Sequence, residues 1–139
     1  MLDIDYFKQY NDTYLHVQGD KVLMRIGKLI RESLRAMDSA YRYGGEEFTI
    51  ILPETKGDEA RAAADRVRKT IASEIFTPEP GKEVSITISA GVTQYSHGET
   101  LKQFVQRADE ALFASKGKGR DTVTLFQGEQ ISSLEDINC

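Results

Sequence analysis

Along the first residues apolar and acidic positions alternate, Leu2 and Ile4 against Asp3 and Asp5, which predicts the end of a strand. A short polar turn of helix is expected over residues 6–13. Val22, Leu23, Ile26, Leu29, Ile30 and Leu34 then recur at helical spacing, predicting an amphipathic helix over residues 20–34. Residues 40–43 and 48–52 have strand character on either side of Gly44–Gly45–Glu46–Glu47, so a hairpin is expected, closed by Pro53. Asp58 is a candidate N-cap for a second long helix with Ala60, Ala64, Val67, Ile71 and Ile75 as its buried stripe.

Residues 77–83, "TPEPGKE", read as a loop, and "VSITISAGV" alternates in the manner of a strand. Val84, Ile86, Ile88, Ala90 and Val92 should point inward, Ser85, Thr87 and Ser89 outward. Thr100 and Gln103 form a capping-box pattern ahead of a third helix carrying Leu101, Phe104, Val105, Ala108, Leu112 and Phe113. "KGKGR" ends that helix and "TVTLF" is a last strand, leaving 127–139 as a tail. The order βα-ββ-αβ-αβ predicts an α+β fold, with an antiparallel sheet and helices packed on one face.

The 139 residues make one domain, and 40% apolar with 29% charged residues is a globular profile. A net charge of −4 argues against a broad nucleic-acid footprint. No apolar run is long enough to span a membrane. A single cysteine, Cys139, excludes an internal disulfide framework and fits a cytoplasmic location. A strand that begins at Met1 without lead-in is expected of a chain that continues upstream.

Asp3 should end its strand beside the hairpin, so that Asp3, Glu46 and Glu47 converge on one edge. Such carboxylates repel unless a hard divalent cation, Mg²⁺ or Mn²⁺, lies among them. A solvated turn for Glu46 and Glu47, and a helix cap for Asp5, are the plainer alternatives. The stretches "LDIDYFKQYNDTYLHVQGD", "RAMDSAYRYGGEEF", "SAGV" and "ADEALFASKGKGRDTV", in that order, together resemble the GGDEF-domain family, the diguanylate cyclases.

That resemblance assigns residues 1–126 to the domain and implies a βαββαβ core like the palm of nucleotidyl cyclases and polymerases. It implies condensation of two GTP into cyclic di-GMP by a homodimer under an upstream sensory domain. Asp3, the Ile4 carbonyl and Glu46 would hold the metal, and Glu47 would add a ligand or help deprotonate the ribose hydroxyl. Phe7 (through its backbone), Lys8, Lys116 and Arg120 would meet the phosphates, and Gly44 and Gly45 would let the nucleotide approach the backbone. Asn11 and Asp20 match the family's guanine-reading pair, although a turn residue and a helix N-cap would look the same. Arg35 and Asp38 in "RAMD" match its product-inhibition site, with Arg66 as the partner position on a neighbouring subunit. An i,i+3 surface ion pair is the plainer reading of "RAMD".

The chain departs from the family pattern at Leu15, where Gly is common, and at Asp121, where Asn is usual. It also lacks the family's preceding helix and part of the first strand, so an open sheet edge is expected. Two functions stand against each other: a cyclase, or a catalytically weak domain that binds cyclic di-GMP or GTP for regulation.

Overall fold

The computed structural model describes residues 1–127; the expected tail, with Cys139, lies outside them from residue 128 onward. The elements are β1 (Leu2–Ile4), α1 (Phe7–Tyr14), α2 (His16–Ser33), β2 (Ser39–Gly44), β3 (Glu47–Ile51) and α3 (Gly57–Ala72). They continue with β4 (Ile75–Glu79), β5 (Lys82–Ser85), β6 (Ile88–Val92), α4 (Leu101–Gly117) and β7 (Val123–Leu125). A five-stranded sheet in the order β2-β3-β1-β6-β7 forms the centre of this α+β fold. β1 is its middle strand, antiparallel to both β3 and β6.

β7 runs parallel to β6, so the sheet is mixed and not wholly antiparallel. Joining parallel neighbours requires a crossover, and α4 is that crossover. Its path also overturns the expectation of helices on one face. Leu2, Ile4, Phe48, Ile88 and Ala90 share a core with Val22, Ile26 and Ile30 of α2 and Val67 and Ile71 of α3. Successive strand residues point to opposite faces, and α4 covers the other one: Ser115 Oγ bonds Ala90 O and Thr124 Oγ1, each at 2.7 Å. Ser89, expected to face water, is therefore fully buried.

Helix starts follow local chemistry. Thr100 caps α4 in the expected capping box, accepting from Gln103 N at 3.2 Å. Asp58 is not the cap of α3 but lies in its first turn with Glu59, where carboxylates favour the positive end of the helix. α2 begins at His16, so Asp20 lies within the helix and is not its cap.

Residues 75–85, largely read as loop, form the separate β4–β5 hairpin, whose turn contains Gly81 at φ 78°. Ile75 is consequently exposed in β4 and not part of the α3 stripe. Leu101 and Phe113 are likewise exposed on α4. The uninterrupted strand expected over 84–92 breaks at residues 86–87 as the chain passes from β5 to β6.

β1 pairs with β3 only at Leu2 and Asp3, although β3 continues to Ile51. The gap beyond Met1 is an apolar cavity of about 640 Å³, lined among others by Ile50, Ile51, Val92 and Thr93. β3 and β6 flank β1 and are not hydrogen-bonded to each other. No helix among the described residues is long and apolar enough to cross a membrane.

Candidate active site

Asp3 is the middle residue of β1, on the face covered by α4, and is 6% exposed. Its Oδ2 accepts from Lys116 Nζ, in the last turn of α4, at 2.8 Å. Glu47 is its cross-strand neighbour, and the Ile4 N–H donates to the Glu46 carbonyl at 3.2 Å. A residue's N–H and C=O point to the same side of a strand, so the Ile4 carbonyl also faces the hairpin. The hairpin therefore lies beside the end of β1, as expected. Burial, and then repulsion from Asp3, push the Glu47 carboxyl above the usual carboxylate range, with Lys116 pulling the other way.

The three carboxylates nevertheless do not close into a ligand cluster. Among the described residues no group of three or more His, Cys, Asp or Glu is arranged to hold a metal ion. The physical reason is charge: the Lys116 ammonium satisfies Asp3, while uncompensated acids at this edge repel one another. The donor set still fits a hard divalent cation, because it offers carboxylate and carbonyl oxygens and already draws a positive group onto Asp3.

The chain leaves β1 through Tyr6, which is left-handed at φ 56°, and enters α1 at Phe7. Phe7 is buried and Lys8 exposed, and the first N–H groups of any helix lack intrahelical partners. Arg120 follows α4 in another left-handed turn, at φ 67°, and its guanidinium lies 5.0 Å from the centre of the Tyr6 ring. Asp3, the start of α1, Lys116 and Arg120 are thus brought together. Lys8 makes no bond that ties it to them.

Asn11 is in α1, not in a turn, and packs onto α2 at Gly19. A Cβ on Gly19 would overlap the Asn11 amide, so that glycine is what admits it. Asn11 Oδ1 is buried without a hydrogen-bond partner, and the exposed Asp20 follows Gly19 directly. Gly44 and Gly45 are exposed in the hairpin. Neither has a positive φ, and a Cβ would meet nothing within 4 Å at Gly45 and only Glu47 Oε2, at 3.9 Å, at Gly44.

Arg35 and Asp38 form a closed unit after α2: Nε and Nη2 of Arg35 donate to the two Asp38 oxygens at 3.1 and 2.8 Å. Arg35 Nη2 also donates to Thr55 Oγ1 at 2.8 Å, and its backbone N–H to Asp38 Oδ2 at 2.8 Å. The Arg35 side chain remains 54% exposed. Arg66 is exposed on α3 and is not among the contacts of Arg35.

Several contributors had no clear signal in the sequence. Arg42 pins the hairpin by donating from Nε and Nη2 to the Gly45 carbonyl at 3.1 and 2.8 Å. Asp5 is no helix cap; it is buried and accepts from Thr87 and Ser89 of the neighbouring chain segment. The paired Asp3 and Asp5 hinted at a shared face, but not at the different partners that the two carboxylates take.

Residues 1–122 match the family model described as "Diguanylate cyclase, GGDEF domain". The chain is 46% identical over 126 residues to "Diguanylate cyclase A" of Treponema denticola, covering 90% of this chain and 34% of that protein. The GGDEF domain of DgcB from Caulobacter crescentus, solved in complex with c-di-GMP, superposes with a TM-score of 0.85. Its identity is 35%, with 89% of this chain and 74% of that one covered. The "active GGEEF domain of a diguanylate cyclase" from Vibrio cholerae gives a TM-score of 0.84 at 32% identity, with 91% and 80% covered. The chain spans between about a fifth and a third of the length of the curated relatives it matches.

Proposed function

The chain belongs to the GGDEF domain family, and from that membership we propose that residues 1–126 form a diguanylate cyclase domain that condenses two GTP into cyclic di-GMP. In each half-reaction the 3′-hydroxyl of one GTP attacks the α-phosphorus of the other. A new P–O bond forms, the bond to the β-phosphate bridge breaks, and pyrophosphate leaves. One site holds one GTP, so two copies must face each other. The observation that carries this reading is the Lys116–Asp3 bond, which sets the acidic end of β1 against the cationic end of α4 beside the Gly44–Glu47 turn.

Asp3, the Ile4 carbonyl and Glu46 would hold a divalent cation, Mg²⁺ or Mn²⁺, which lowers the pKa of the attacking hydroxyl and offsets charge on the leaving group. Lys116, Arg120, Lys8 and the backbone N–H groups at Phe7 bind the phosphates. Lys116 exchanges its Asp3 partner for phosphate when substrate arrives. Glu47, the carboxyl with raised proton affinity, takes the hydroxyl proton or adds a ligand. Asn11 and Asp20 read guanine, a role supported by the orphaned Asn11 oxygen and by the absence of a capping duty for Asp20. Gly44 and Gly45 give the nucleotide clearance.

Incubating the protein with GTP and Mg²⁺ should yield cyclic di-GMP and pyrophosphate. Glu46→Gln should lower turnover at least about a hundredfold without altering the melting temperature by more than a few degrees. Undiminished synthesis by a folded Glu46→Gln protein excludes the metal-ligand role. The second reading, a domain that binds cyclic di-GMP through Arg35 and Asp38 with Arg66 of another subunit, draws on the exposed Arg35 fork. Binding of cyclic di-GMP without any turnover of GTP would select it.

A further inference from the structure

Asp5 is 7% exposed, and both its oxygens are occupied. Oδ1 accepts from Ser89 Oγ at 2.6 Å, while Oδ2 accepts from Thr87 Oγ1 at 2.7 Å and from the Asp121 N–H at 3.0 Å. Among the described residues no cation pairs with it, so its charge is met by these three donors alone. Burying a carboxylate so is costly unless the bonds serve something. What they join is informative: the end of β1, the start of β6, and the turn after α4.

That turn is an unfavourable one. Gly119, Arg120 and Asp121 are consecutive left-handed residues at φ 106°, 67° and 46°, a conformation that side chains other than glycine resist. It persists through outside ties: Arg120 N–H to Ser115 O at 3.1 Å, Asp121 N–H to Asp5, and Arg68 Nη1 to Asp121 Oδ1 at 2.9 Å. The Arg68 contact is an ion pair with the Asp121 carboxylate. The turn carries Arg120 and follows the end of α4, where the Lys116 ammonium reaches Asp3 of β1, two residues before Asp5.

We propose that Asp5 is a positioning residue that, with Asp121 and Arg68, locks the left-handed turn after α4 onto the end of β1 and so sets Lys116 and Arg120 relative to Asp3. The proposal rests on the reading of Lys116 and Arg120 as phosphate contacts. The lock needs oxygen acceptors rather than negative charge. In Asp5→Asn the amide oxygen can face Thr87 and the Asp121 N–H, while its NH₂ donates to Ser89, whose hydroxyl turns to accept. Asp5→Ala has no such arrangement.

The test compares both variants in the 139-residue chain, by hydrogen exchange at the Asp121 amide and by steady-state kinetics with GTP and Mg²⁺. Asp5→Ala should lose protection at Asp121 and raise KM for GTP about tenfold or more, with a smaller fall in kcat. Asp5→Asn should keep protection and stay within about threefold of wild type in both constants. If Asp5→Asn keeps protection yet loses kcat as fully as Asp5→Ala, Asp5 acts through its charge and the proposal fails. It fails equally if Asp5→Ala leaves Asp121 protected and KM unchanged. Should Asp5→Ala not fold, Arg68→Ala releases the other side of the turn and should raise KM while kcat changes less; an unchanged KM there overturns the lock. If wild type makes no cyclic di-GMP, the cyclase reading is lost, while the exchange data still decide whether Asp5 holds the turn.

Discussion

At the scale of single residues, Leu15 occupies a strained backbone conformation. It joins α1 to α2 at φ 74°, ψ 158°, a region open almost only to glycine. The leucine is 71% exposed, so packing returns little of that strain. Leu15→Gly should therefore stabilise the fold by about 1–3 kcal/mol, read as a higher melting temperature in thermal unfolding. A lower melting temperature would mean that the leucine side chain is needed where it stands. Gly44 and Gly45 present the opposite case. Their backbone is ordinary and a Cβ on either would meet little or nothing, so nothing inside the described chain calls for glycine there. That is compatible with the ligand clearance proposed for them.

At the scale of elements, the contact between β6 and α4 is the tightest constraint. A Cβ on Gly91 would fall within the backbone of α4, against Ala108 O and Leu112 N, and a helix backbone cannot yield as a side chain can. Ser115 adds its bond to the carbonyl of Ala90 in the same layer. Gly91→Ala should therefore push α4 off the sheet, at a loss of about 3 kcal/mol or more. Because α4 carries Lys116, activity should fall with stability. Urea unfolding checks the first effect, and an unchanged midpoint would show that the layers separate freely. The close approach also explains why "SAGV" is small at its centre: the other face of this strand bears a helix.

At the scale of the molecule, the site is a meeting of distant segments. β1, as the middle strand, exposes its end where the β2–β3 turn, the start of α1 and the end of α4 come together. Everything proposed for one GTP lies on one chain, but ring closure between two GTP needs a second copy. Specific activity should accordingly rise with protein concentration in the dilute range, roughly in proportion, and level off once dimers dominate. A constant specific activity across a hundredfold dilution would mean that the pairing is permanent or that the dimer reading is wrong.

Much of this molecule is decided locally, and that part is legible in the chain alone. The stripe from Val22 to Ile30, the capping box at Thr100, the Gly-Gly-Glu-Glu hairpin and the alternation in "MLDID" each follow from interactions within a few residues, so their elements appear where expected. Family membership was legible for a related reason: the ordered motifs from Asp3 to Arg120 are side-chain chemistry written directly in sequence. What depended on tertiary structure involves contacts across many residues. The ends of helices shifted, as at Asp20 and Asp58, because neighbouring segments stabilise turns that local propensity leaves open. The 75–85 hairpin forms by pairing two segments of weak individual pattern. Ser89 is buried because α4, arriving from the other side of a parallel crossover, covers a face whose polar alternation suggests water. Asp5 parted from Asp3 for the same reason: identical carboxylates two residues apart acquire different partners, Lys116 for one and Thr87, Ser89 and Asp121 for the other, and only the packed sheet brings those partners within hydrogen-bond reach.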